Sequence, residues 1–186
     1  MTIDWPTVAT TVLGSGVVAA AVTQGIIALR DHTKHKADGR MAALLAALAL
    51  ERFGSACAEL VIDADNYHHS GGVVGRLHAK LPAMSPFRAS IDLNLLPLYV
   101  TSILLEFEVS AEQANIDLQY EFAEDRFALS MPIFLRLGEA GFKVARKVRE
   151  KMGLPHLLSH ELGQSLRFLL EQSETFEHDM LKNGDL

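Results

Sequence analysis

The densest run of polar chemistry in the chain is ELVIDADNYHHSGG, from Glu59 to Gly72. Glu59, Asp63 and Asn66 recur at i, i+4 and i+7, a spacing that puts side chains on one face of a helix. Tyr67 and His68 follow at once, and Asp65, His69 and His78 lie close by. Carboxylates and imidazoles together are donors that suit a divalent cation. The spacing matches neither an HExxH site nor an EF-hand loop. A carboxylate-bridged di-iron bundle needs Glu-x-x-His on inward faces, and the runs at Glu59 and Glu106 lack that histidine. The competing reading is a solvated helix end whose carboxylates bond loop amides, Arg76 or Arg88. Glu59, Asp63, Asn66, Tyr67 and His68 are the expected contact for a ligand or partner, and no metal is assigned.

Three further features invite chemistry and have plainer explanations. His156 and His160 stand one turn apart beside Glu161, a spacing that can share a metal, yet no third ligand adjoins them. Cys57 falls on an apolar seam, whereas a nucleophilic thiol needs a base and an exposed, positive setting. KVARKVREK, Lys143 to Lys151, is the one basic run. At a helix C-terminus such cations complement the dipole, and near a bilayer they would attract anionic lipid. No phosphate-binding glycine loop and no nucleophile elbow is present. The expectation is therefore no catalytic residue and no cofactor, with enzymatic activity less favoured than binding.

The elements that must position these residues read as helices. Four apolar seams step by three and four, with charges opposite. The first is Ala46, Leu50, Phe53, Cys57, Leu60 and Ala64. The second runs Leu96, Val100, Ile103, Phe107, Ala111, Ala114, Leu118 and Phe122. The third is Ile133, Leu137, Gly141, Val144 and Val148, and the fourth Leu162, Leu166, Leu169, Ser173, Phe176 and Met180. Gly71 and Gly72 end the first. Ser90 or Asp92 is the expected cap of the second, with Pro97 near its start, and Pro132 belongs in the first turn of the third. Gly153-Leu154-Pro155 separates the third from the fourth. One long connection, Ser70 to about Ile91, has little periodicity. Loops of that length are commonly functional or mobile, so it is a second expected contact surface.

Ahead of these helices, the 24 residues from Pro6 to Leu29 carry no charge. As a helix they would reach about 36 Å at ~1.5 Å per residue, enough for a hydrocarbon core of ~30 Å. Asp4 and the absence of an early Lys or Arg fit a signal peptide poorly. Arg30, Lys34, Lys36 and Arg40 follow the run, which places the N-terminus outside and the remainder in the cytoplasm. Trp5 suits the outer interface. Gly16, Ala20 and Gln24 repeat every four residues, a pattern that lets two spanning helices approach and self-associate. An oligomeric pore is a further use of such a helix. The first bundle helix is expected to continue from this run through RDHTKHKADGR as one long rod, with an interruption near Gly39 considered. The alternative for the run itself is a core helix of a soluble bundle or oligomer.

Length and composition agree with one core. The 186 residues are 49% hydrophobic but only 7% aromatic, and the net charge is −6. Residues 1–40 hold four Lys/Arg and three Asp/Glu, whereas the rest hold 13 and 20. That balance, without aromatics among the cations, excludes a nucleic-acid binder acting through overall charge. The single Cys57 excludes an intrachain disulfide.

The basic stretch Arg30–Arg40, the helix carrying Glu59, Asp63, Asn66 and Tyr67 before the pair Gly71 and Gly72, and the later Gly153-Leu154-Pro155 resemble the plan of small bacterial or phage-associated membrane proteins. The resemblance implies an inner-membrane anchor and a helical cytoplasmic domain, and no activity. The expected architecture is all-α, with a transmembrane helix and basic stretch (1–38) followed by an up-down four-helix bundle with one long loop (39–186). The expected function is a membrane-anchored interaction or scaffold module whose partners are the lipid bilayer, another protein and further copies of itself. The alternative is a soluble helical metal- or ligand-binding protein, or an enzyme, with its site around Glu59, Asp63 and His68.

Overall fold

The computed structural model describes residues 5–123, 130–155 and 163–173, with the backbone alone over 5–33 apart from Gln24. Every regular element among them is helical. The order is α1 (Trp5–His69), α2 (Phe87–Ser90), a 3₁₀ turn (Leu93–Leu95), α3 (Leu98–Ala123) and α4 (Ser130–Met152). A fifth helical stretch, α5, covers 163–173. The break considered near Gly39 does not occur in the backbone, since α1 is helical throughout. The chain nevertheless divides into two compact units, residues 1–39 and 40–186.

The apolar seams explain the packing of the second unit. Ala46, Leu50, Phe53, Cys57 and Ala64 of α1 are buried, as are Val100, Leu104, Phe107, Ala111, Ala114 and Leu118 of α3. Leu137, Ala145 and Val148 of α4 and Leu169 of α5 complete the interior. Phe53 and Phe107 meet edge to face with centroids 5.5 Å apart, an arrangement worth about 1 kcal/mol beyond area burial. α1 and α4 cross closely because glycine lines the crossing. A Cβ on Gly138 would stand 2.9 Å from the Cβ of Cys57 and 2.8 Å from Leu169 Cδ1.

Both helix ends read from glycine are Schellman turns. At the end of α1, the Gly72 amide donates to the Tyr67 carbonyl (2.8 Å) and the Gly71 amide to that of His68 (3.3 Å). At the end of α4, Leu154 donates to Arg149 (2.9 Å) and Gly153 to Glu150 (3.3 Å). Gly71 and Gly153 hold φ of +63° and +60°. The second helix starts later than its expected caps. Asp92 caps the 3₁₀ turn through the Asn94 amide, Ser90 closes α2, and α3 begins directly after Pro97. Pro132 does fall in the first turn of α4.

The long connection is tied down rather than loose. Phe87 is fully buried, and Leu81, Met84 and Ile91 pack on the core. The Leu81 amide donates to Asn115 Oδ1 of α3 at 3.1 Å.

Among the described residues, one stretch is long and apolar enough to cross a membrane by length and composition, Lys34–His69 of α1. Of its most apolar window, 56% is buried within the protein, which is how a core helix passes the same test.

Candidate functional site

The Glu59–Gly72 cluster sits on the last three turns of α1. Asp63 faces the connection that follows, where His78 Nε2 lies 3.1 Å from its Oδ2. Gly75 makes this approach possible. It holds φ +81°, and a Cβ there would stand 2.2 Å from the Asp63 carbonyl oxygen. His69 Nδ1 lies 3.1 Å from Asp65 Oδ1, one turn away. Tyr67 and His68 meet edge to face at 5.9 Å. Glu59, Asn66 and His68 are exposed, whereas Asp63 and Tyr67 are half-buried. Among the described residues no three His, Cys, Asp or Glu side chains converge as a metal-binding group. The arrangement pins a loop to a helix end, and half-exposed pairs of this kind contribute about 0–1 kcal/mol each.

Of the other sequence candidates, Gln24 is exposed, and Gly16 and Ala20 lie outside the residues whose side chains are described. His156, His160 and Glu161 also lie outside the described residues. Cys57 is buried, and burial pushes its thiol up to about 12, so the reactive thiolate is absent near neutral pH. The basic run is mostly spoken for. Lys143 pairs with Glu139, Arg146 Nε lies 3.4 Å from Glu150, and Lys151 lies 5.4 Å over the Tyr99 ring.

The fourth cation, Arg149, forms the one fully buried ion pair among the described residues. Its Nε donates to Glu51 Oε1 at 2.7 Å and a terminal nitrogen donates to Oε2 at 2.9 Å. The other terminal nitrogen donates to the Pro155 carbonyl at 3.0 Å. Glu51 and Arg149 are 1% and 3% exposed. Beside the pair opens a cleft of about 440 Å³ that reaches Phe142 of α4 and Leu166 and Leu170 of α5. Its size is that of a small-molecule site. Each cation on its wall already faces a carboxylate, so the cleft carries little net charge with which to select an ion.

The surface that sequence reading missed is the outer side of α3. Leu98, Ser102, Leu105, Val109, Ile116 and Tyr120 fall within an arc of about 60° at ~100° per residue, opposite the buried seam. Leu98 is 84% exposed, Val109 64%, Ile116 60% and Tyr120 59%. The signal was present, because Leu98 and Leu105, and Val109 and Ile116, are each seven residues apart. Acids flank the stripe. Glu112 lies on one side, Glu106 and Asp117 on the other, and no Lys, Arg or His occurs between Leu98 and Ala123. Glu106 accepts from Ser102 at 2.7 Å and Asp117 from Gln113 at 2.9 Å. Neither is paired with a cation among the described residues.

α3 thus buries one apolar face and shows a second to solvent. Comparison of the chain with protein-family models, curated proteins and solved structures returned no match, so the functional reading stands on this geometry.

Proposed function

We propose that this chain is a single-pass membrane-anchored helical module that docks a protein partner. Residues 6–29 span the bilayer with the N-terminus outside, and the unit from Arg40 onward forms an up-down helical bundle on the cytoplasmic side. The observation that carries the interaction role is the exposed apolar stripe of α3, Leu98 to Tyr120, on the face away from the core. The anchor is supported by 24 uncharged residues of helical backbone followed by Arg30, Lys34, Lys36 and Arg40. Tethering confines the module to two dimensions and raises its effective concentration toward partners at the same surface. The test is fractionation of cells expressing the full chain. It is expected to stay in the pellet after alkaline carbonate washing and to be shielded from protease added outside. Release of folded protein into the wash would remove the anchor from the reading.

The cleft beside Glu51 and Arg149 favours a second reading, a small apolar ligand held between α4 and α5. Enlarging the side chain at Leu166 to Trp would fill it. A ligand role predicts that this variant loses a thermal shift given by a library of small apolar compounds.

A further inference from the structure

The chemistry of the α3 stripe identifies the kind of partner it fits, an inference that rests on the interaction role proposed above. Three occupants could cover an exposed apolar helix face: a membrane, a second copy of the same face, or a different protein. The flanks discriminate among them. Glu106, Glu112 and Asp117 border the stripe, and α3 carries five carboxylates and no cation. An anionic lipid surface would meet these carboxylates as like charges. A second copy of the face would set acids against acids along both edges, which is destabilising in paired helices. Leu105 and Val109 stand beside Ser102, Glu106 and Ser110 on this open face, so apolar side chains arriving at helical spacing meet apolar ones with acceptors next to them.

We propose that the outer face of α3 receives a basic amphipathic helix of a partner protein. The partner's apolar residues, at i, i+3 or i+4 and i+7, lie along Leu98, Leu105, Val109 and Ile116. Its Lys or Arg residues on either side reach Glu106, Glu112 and Asp117.

The test uses the full chain in nanodiscs of zwitterionic phosphatidylcholine, with empty discs as the blank. Two labelled synthetic helices of about three heptads are the probes. Both have Leu at a and d; one has Lys at e and g, the other Glu. The Lys helix is expected to bind at least about tenfold tighter, with an advantage that shrinks as salt is raised. Val109→Ser with Ile116→Ser, both exposed and harmless to the core, is expected to weaken it about tenfold. Glu106→Lys, Glu112→Lys and Asp117→Lys together are expected to reverse the preference toward the Glu helix. Circular dichroism of each variant confirms folding.

Equal binding of both helices, lost in the Ser variant, would overturn the basic partner and leave the interaction role standing. A dimer of the chain itself that dissociates in the Ser variant would show a second copy on the face and overturn the basic partner in the same way. Binding to empty discs alone, or binding indifferent to the Ser variant, would remove both.

Discussion

At the scale of single residues, the Glu51–Arg149 pair is where the protein commits most. Two charges taken out of water cost several kcal/mol each, and the bidentate geometry with the Pro155 carbonyl offsets that cost. The pair joins α1 to α4 across 98 positions of sequence, so it specifies how those helices meet. Removing one partner leaves the other charge buried and unmatched. Glu51→Ala and Arg149→Ala are each expected to destabilise by about 3–5 kcal/mol, read as a fall in melting temperature of the full chain in mild detergent. The double change Glu51→Leu with Arg149→Met is expected to recover most of the loss, because an apolar pair of similar volume needs no matching. Losses under 1 kcal/mol for both single variants would mean the pair is hydrated in solution. Nothing in the sequence marks this pair. Glu51 stands beside Arg52 after an apolar run, and its partner lies within the basic KVARKVREK.

Cys57 makes the opposite case, a residue whose fate the periodicity foretold. It lies on the first seam and is fully buried, and burial pushes its thiol from 9.0 to about 12. The folded state therefore holds this proton more tightly than the unfolded one. Its contribution to stability is complete below pH 9 and is lost as pH rises toward 12. A thiol reagent at pH 8 is expected to leave native protein unlabelled and to modify Cys57 fully in denaturant. Rapid labelling of the native chain would contradict its burial.

At the scale of elements, the crossing of α1 and α4 depends on Gly138. Its missing Cβ lets the helix press against Cys57 and Leu169. Gly138→Ala is expected to cost about 1–3 kcal/mol through overpacking, because the Cys57 Cβ is fixed to its backbone and only the Leu169 tip can yield. An unchanged melting temperature would mean the helices stand further apart. The helices and their ends were legible because apolar periodicity and glycine act locally. Leu50, Phe107 and Leu137 sit where their seams put them, and Gly71 and Gly153 terminate helices by the conformation only glycine adopts cheaply. The start of α3 was less legible, because Asp92 satisfies the 3₁₀ turn first. The anchoring of the loop from Ser70 was not legible, since its few apolar residues, Leu81, Met84 and Phe87, have no period yet reach the core. The acidic and histidine cluster was legible as residues and not as a site, because Asp63 finds His78 only after Gly75 folds the chain back. The outer stripe of α3 was overlooked because one seam already accounted for a helix of that length.

At the scale of the whole molecule, two stretches of α1 compete for the role of anchor. Lys34–His69 is apolar enough, but Ala46, Leu50, Phe53 and Cys57 are committed to the protein core. Side chains committed to a protein interior cannot also face lipid. Residues 6–29 carry no charge and lie in the other compact unit, which is why the proposed anchor is assigned to them. The two solvents predict different responses to one change. Val18 and Ala21 lie near the middle of the run, where a lysine in a spanning helix costs about 2.5–3.5 kcal/mol on insertion scales. Val18→Lys with Ala21→Lys is therefore expected to shift the chain from the carbonate-resistant pellet to the supernatant. The unit from Arg40 is expected to remain folded, judged by Cys57 still refusing a thiol reagent. If these residues were instead packed in a water-soluble core, the same lysines would be buried among apolar groups, and the chain would unfold, exposing Cys57 to reagent. Supernatant with Cys57 protected supports the anchor, and loss of that protection overturns it.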